Sequence, residues 1–214
     1  MSFPLVVPAL ISLPLSLPLW NKFPPTLIKY LRVLYLFTCS DHRTTLIPVV
    51  CPPFLSSCAT HEFGHAQTVF AYFSAESSVD HMVYSCFWTW LHLLQFCVSN
   101  QSQDPEEDAL NKPWRPIPSG LISVAGARTL RWILVPLCPL LSACLGIHWH
   151  SISLALASLA YHELHFQSHG LMRNVCNAWG YASFNAGAAM IAAGMLYNTF
   201  LSGLGFQQES RHLC

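Results

Sequence analysis

Asn100, Asp104 and Asp108 stand four residues apart in the stretch NQSQDPEEDALNKPWRPIPSG, residues 100–120, whose first nine residues hold four of the chain's ten acidic side chains. On one continuous helix this spacing places three oxygen-bearing side chains on a single face. Hard divalent cations such as magnesium take oxygen ligands, commonly one or two carboxylates completed by water and substrate phosphate oxygens. The pattern therefore suits a diphosphate held through Mg2+, with Asp104 and Asp108 at the reacting end. Lys112 and Arg115 follow directly and supply cations for a bound or departing diphosphate. Pro113, Pro116 and Pro118 stiffen the segment that carries them. The plainer reading of the same string is a solvated acidic loop between membrane helices.

The elements around this loop are set by composition. Hydrophobic residues make up 53% of the 214, and charged residues only 9%, against roughly 25% charged in soluble domains. Such a chain belongs in a bilayer, where a carboxylate cluster is costly unless it has a ligand. Seven Trp, seven Tyr and thirteen Phe suit helices whose ends collect amphipathic rings. The nine Cys form no disulfide framework or zinc-finger spacing, and Cys86, Cys97, Cys138, Cys144 and Cys176 sit in apolar stretches as small buried thiols. Formal net charge is zero, which by itself says nothing about nucleic acid; none is expected as a partner, whereas the lipid bilayer is.

The first residues are apolar but interrupted by Pro4, Pro8, Pro14 and Pro18, and they lack the basic start of a secretory signal. Residues 1–26 are therefore expected to be an irregular extension, 27–202 a transmembrane helical domain and 203–214 a short tail. Leu27 to Thr38 reads as interfacial. Spans are expected at about Thr45–Cys58, Met82–Val98, Leu130–Ile147, Ser151–Leu164 and Cys176–Leu201. Residues 44–111 hold no Lys or Arg, while Lys22, Lys29, Arg32 and Arg43 precede them and Lys112, Arg115, Arg128 and Arg131 follow. The positive-inside rule then turns the amino terminus and the loop from Asn100 to Arg131 toward the cytosol.

The full string, Asn100-x3-Asp104-x3-Asp108 followed by Asn111-Lys112-Pro113 and Arg115-Pro116-x-Pro118-Ser119-Gly120, resembles the first aspartate-rich motif of the UbiA superfamily of intramembrane prenyltransferases. LYLFTCSDHRTTLIP before the first span and YHELHFQSHGLMRNVCNAWGYASFNAGA after the fourth resemble its fungal branch, which includes membrane terpene cyclases. The resemblance covers most of residues 30–200. It implies an all-α, multi-span transmembrane helix bundle around a cavity, in the endoplasmic reticulum or another internal membrane. It also implies binding of an isoprenyl diphosphate, farnesyl or geranylgeranyl, through Mg2+ at two aspartate-rich motifs. Loss of diphosphate gives an allylic cation, trapped by the chain's own double bonds in cyclases and by an aromatic acceptor in prenyltransferases. Carried over, Asn100, Asp104 and Asp108 hold metal, and Lys112 and Arg115 contact diphosphate. Arg173 falls where a second polar cluster reaches phosphate, and Tyr161 and Asn174 where polar residues face the cavity. The aromatic residues Phe87, Trp88, Trp90 and Phe96 either stabilise the cation or simply pack.

The sequence departs from this pattern in three places. No Asp follows Asp108, and the later carboxylates are Glu163 and Glu209 alone; the second aspartate-rich motif is missing, which reads as a chain shortened at its carboxyl end. A partner chain or a missing carboxyl-terminal segment would then complete the site; without either, an inactive family member is the alternative. His162 stands where an acidic or amide residue is expected, and His165 where the fungal branch has Gly.

His61-Glu62-Phe63-Gly64-His65 is an HExxH string, the zinc signature of metallopeptidases, with both imidazoles one helical turn apart. A catalytic zinc needs a third protein ligand, and no companion motif follows. Elemental analysis of the purified chain is expected to find no stoichiometric zinc, and His61→Ala to leave its melting temperature unchanged. One zinc per chain, lost in that variant, would place a metallopeptidase centre there.

Overall fold

Helix α1, Pro25–Thr38, starts on a proline pair: Pro24 is its N-cap, and Pro25 supplies the fixed φ of the first turn. Val33, Leu36 and Phe37 recur at helical spacing and are its buried face. The computed structural model describes residues 24–51 and 79–192, so residues 1–23 of the expected extension 1–26, the second half of the first expected span, the HExxH string, and the end of the last expected span with the tail lie outside the described residues. Among the described residues the chain is all-helical. A π-helical turn, His42–Leu46, follows α1. The long helices are then α2, Val79–Gln103; α4, Val124–Cys144; α5, His148–Glu163; and α6, Gly170–Ala192. A short α3, Pro105–Asn111, lies between α2 and α4.

α2 is the axis of the bundle. It packs against α1, α4, α5 and α6, and its two sides feed two different cores. Leu91, Leu94 and Val98 meet Val33 and Phe37 of α1, Ala127, Leu134 and Cys138 of α4, and Ile117 of the loop. Trp88, Leu93 and Cys97 meet Leu154 of α5 and Phe184, Ala188 and Ile191 of α6. Serving both cores, α2 is buried almost continuously from Leu91 to Ser102.

The helix ends follow from local chemistry. Ser123 caps α4, its hydroxyl accepting from the Gly126 N–H at 3.0 Å. The α4–α5 turn passes through Gly146 at φ +72°, a conformation that glycine adopts without Cβ strain. α5 ends with His165 at φ +54°, the one non-glycine residue among those described with positive φ. This is the left-handed position after a helix where glycine is usual, and it accounts for the glycine expected at 165.

Polarity is inverted relative to a soluble protein. Ser85, Thr89, His92, Gln95, Ser99, Ser142, Ser151, Ser158 and Ser183 are buried, while Tyr84, Phe87, Trp132, Ile133, Leu140, Trp149, Leu156, Val175 and Trp179 are exposed. All of these buried polar residues but Thr89 are hydrogen-bonded within the bundle among the described residues, and large apolar side chains on the outside suit an apolar solvent. Against the five spans expected, however, only α4 among the described residues is by itself long and apolar enough to cross a membrane. The buried polar residues lower the mean hydropathy of α2. The 16 residues of α5 reach only ~24 Å against a hydrocarbon core of ~30 Å.

Gly187 brings α6 down onto the Trp88 ring. A Cβ there would lie 2.8 Å from Cζ3 and 2.9 Å from Cζ2 of a side chain that is 2% exposed. Gly187→Ala is therefore expected to destabilise the bundle by about 1–3 kcal/mol, the usual range for overpacking. Trp88→Phe in the same chain should recover part of that loss, a non-additivity that thermal melts of the single and double variants in detergent would reveal.

Candidate functional site

The acidic loop is not the continuous helix its spacing suggests. α2 stops at Gln103, Asp104 has φ −120° and ψ 63°, and a separate helix begins at Pro105. The expectation that Asn100, Asp104 and Asp108 share one face of one helix is corrected here. The cause is Pro105, which disfavours helical backbone at the residue before it and donates no hydrogen bond. Asn100 remains on the last turns of α2 and is half-buried, Asp104 is exposed at the break, and Asp108 is half-buried on α3.

The proline loop after α3 is wound around Arg115. Ser119 N–H and Oγ both bond the Arg115 carbonyl, at 3.0 and 2.7 Å, Gly120 turns at φ +72°, and Ile117 plugs the core beside α1 and α4. Arg115 is thereby buried, and its Nη1 donates to both Asp108 oxygens at 2.7 and 2.8 Å. The metal and diphosphate roles expected of Asp108 and Arg115 are thus occupied by each other. The Arg115 Nε–H is buried without a partner among the described residues. Lys112, half-buried, caps the end of α3.

A second charged cluster lies at the same end of the bundle. Arg131, 5% exposed on α4, donates to Glu163, and Gln103 Nε2 donates to the same carboxylate at 3.3 Å. Arg131 sits on the buried α4 stripe with Ala127, Leu134 and Cys138, a register that could have singled it out in the sequence. His162 is fully buried, and the charges of Arg131, Glu163 and Asp104 reach it. Arg173 is exposed on the first turn of α6, close enough to Tyr161 for its charge to act there.

Below this end, α2, α5, α6 and the π-turn enclose a cavity of about 180 Å³. α2 contributes His92, Gln95 and Phe96; α5 contributes Ser158 and Tyr161; α6 contributes Asn177, Tyr181 and Phe184; the π-turn contributes Asp41, Thr44 and Thr45. Phe96 and Tyr161 meet with ring centroids 5.6 Å apart. Phe96 is four residues before Asn100 and eight before Asp104, so the acidic loop sits ~6–12 Å farther along the α2 axis than the cavity's aromatic lining.

Tyr161 lines the cavity, and Asn174, exposed on α6, does not. Asn177, three residues farther along α6, lines it instead. Of the four aromatics considered, only Phe96 lines the cavity. Trp88 is in the core with its N–H on Ser142 at 2.9 Å, Trp90 bonds Thr38 at 3.2 Å, and Phe87 is exposed.

Asp41, Gln95, Asn177 and Tyr181 are cavity residues that the motifs do not mark. Asp41 lies within the segment LYLFTCSDHRTTLIP, which carries the resemblance without singling it out. Beside it, burial pushes the His42 imidazole below its ordinary pKa while the Asp41 charge opposes this. Burial, and then Asp41, push the Cys39 thiol up.

No three His, Cys, Asp or Glu side chains converge on a point among the described residues. The donors present are oxygens of Asn100 and Asp104, with Asp108 once Arg115 lets go. That set fits a magnesium ion shared with a diphosphate, which needs only one or two protein carboxylates.

The model of the UbiA prenyltransferase family matches residues 66–207. A somaliensene A/B synthase of Streptomyces somaliensis is 34% identical over 78% of this chain and 51% of its own length. The fumagillin beta-trans-bergamotene synthase of Aspergillus fumigatus is 28% identical over 78% of this chain and 52% of its own. A diterpene cyclase of Hericium erinaceus is 49% identical over a shorter stretch, 21% of this chain and 15% of its own. The chain spans about half the length of the first two relatives. No solved structure matches it significantly. The family is one of membrane-associated proteins, consistent with the apolar α4. With more than half of its residues matched by the family model, the chain belongs to the UbiA prenyltransferase family.

Proposed function

We propose that this chain serves a membrane terpene cyclase, binding an isoprenyl diphosphate, farnesyl or geranylgeranyl, and assisting its ionisation. The observation that carries the reading is the acidic loop seated one to three turns of α2 above a cavity walled by aromatic rings. Asn100, Asp104 and Asp108 hold the diphosphate through Mg2+, which when bound neutralises its charge and makes it a better leaving group. Arg115, Lys112 and Arg173 stand around the same end of the bundle and supply the cations that hold phosphate oxygens. The isoprenyl tail lies along Phe96, Tyr161, Tyr181 and Phe184, whose ring faces stabilise the cation left behind.

In this reading the bundle is multi-pass, with the loop facing the cytosol from an internal membrane. The relatives' named activities, terpene synthesis and cyclisation, support the choice of cyclase. The second half of the metal site comes from a partner chain or from further sequence, since the chain spans about half of those relatives. The family's description as prenyltransferases favours a second reading, transfer of the isoprenyl group to an aromatic acceptor.

Membranes containing the chain, given Mg2+ and farnesyl or geranylgeranyl diphosphate, should yield a terpene hydrocarbon. Asp104→Asn should reduce it by about 10²-fold or more, the scale of losing a group that stabilises developing charge. Chelating Mg2+ should stop it. A prenylated aromatic acceptor without hydrocarbon would instead select the transferase, and no product of either kind would leave an inactive family member.

A further inference from the structure

A cyclisation that begins with loss of diphosphate ends with loss of a proton, and that last step needs a base within reach of the cation. The cavity offers few. His92 Nδ1 lies 2.9 Å from the Trp88 carbonyl, which can only accept, so Nδ1 carries the ring proton; Ser151 Oγ lies 2.6 Å from Nε2 and donates to it. Both nitrogens are engaged. Gln95 donates to Ser158 at 3.3 Å, and Thr45 and Tyr181 hydroxyls bond each other at 3.2 Å; amides and hydroxyls are in any case feeble bases.

Asp41 differs from all of these, being the one carboxylate among the lining residues. It is held from two directions. Its backbone N–H bonds Thr38 and its carbonyl accepts from Thr45, both at 2.9 Å, as the π-turn begins. Its side chain accepts from Ser40 Oγ at 2.9 Å and Cys97 Sγ at 3.5 Å, and among the described residues both bonds fall on Oδ2. Oδ1 takes neither. Cys97 is three residues before Asn100 and seven before Asp104, so this carboxylate stands ~4–10 Å down the axis from the acidic loop, on its cavity side.

We infer that Asp41 is the anionic pole of the cavity, which draws the isoprenyl cation away from the departing diphosphate and accepts the terminating proton. The inference rests on the cyclase reading and deepens it. The proton leaves a carbon next to the cationic centre for Asp41 Oδ1, and the C–H electron pair becomes the new C=C bond. The carboxylic acid then loses its proton to water. The balance is isoprenyl diphosphate giving hydrocarbon, diphosphate and one proton.

Two measurements test it. In membranes with Mg2+ and farnesyl diphosphate, Asp41→Asn should lower diphosphate release far less than Asp104→Asn does. It should also shift the ratio of cyclic hydrocarbon to acyclic olefin and alcohol by about tenfold, with Asp41→Glu restoring part of it. Separately, N,N-dimethylfarnesylamine, protonated and so a mimic of the cation, should bind about tenfold more weakly to Asp41→Asn than to the unaltered chain or Asp41→Glu. An unchanged product ratio together with unchanged amine affinity overturns the assignment. If the unaltered chain releases no diphosphate, the cyclase reading fails on its own. The amine then decides for the anionic pole: tenfold weakening in Asp41→Asn supports it, and equal affinity overturns it.

Discussion

The bundle depends on α2 pairing His92, Gln95, Ser99 and Ser102 inside, with Thr89 Oγ1 and Gln101 Oε1 buried without a partner among the described residues, while its neighbours turn apolar surface outward. His92 shows how. One ring nitrogen is spent on the Trp88 carbonyl of the preceding turn and the other on Ser151 of α5. Trp88, four residues earlier, packs on the same imidazole with centroids 4.4 Å apart and sends its N–H to Ser142 of α4. Two side chains on one face of α2 thus tie it to two further helices, and the Trp88 ring occupies the hollow that Gly187 leaves on α6. A buried hydrogen bond contributes only ~1 kcal/mol net, but stranding one partner costs ~1–3 kcal/mol. The network therefore fixes the register of the helices more than it stabilises them.

That register sets the distance between the two polar regions. The loop at the end of α2 and the cavity beside Gln95 and Phe96 are borne by the same rigid rod, so their separation is a matter of helical rise. The loop is pinned independently by Ile117 in the α1–α4 core and by Arg115 on Asp108. Both side chains of that pair are largely buried, 7% and 13% exposed, so removing one partner would strand a charge at a cost of order 3–5 kcal/mol. The ion pair keeps an acidic, proline-rich segment folded when nothing else holds its charges.

The helices and the acidic loop were legible in the sequence because they leave local signals: apolar runs, and carboxylates too concentrated for an apolar chain. The break at Asp104 was also local, since Pro105 forbids the continuation that the four-residue spacing suggests. The cavity was not legible. Asp41, Gln95 and Asn177 come from three separate elements, and only packing makes them neighbours. Nor does the sequence separate Trp88, buried against Gly187, from Phe87 beside it, exposed at the surface; adjacent residues on a helix point about 100° apart, and the choice between core and surface lies with the partner helices. The span count suffered from the same inversion. Polar residues that face inward dilute the hydropathy of α2 without marking it as soluble.

Arg115 and Asp108 also bear on the order of events in the proposed site. Diphosphate alone would have to pull Arg115 from Asp108 and leave a buried carboxylate without a partner, next to a new anion. A metal ion alone would have to take Asp108 and strand the guanidinium. Each single exchange leaves one charge unpaired in a largely buried place, where such a charge is costly. A diphosphate bound with its metal would offer a cation to the Asp108 carboxylate and anionic oxygens to the Arg115 guanidinium together, so neither charge would be stranded. Under the proposed function, the Asp108–Arg115 pair would therefore favour the metal-bound form of the substrate, a preference that follows from pairing the two roles expected of these residues in a single ion pair.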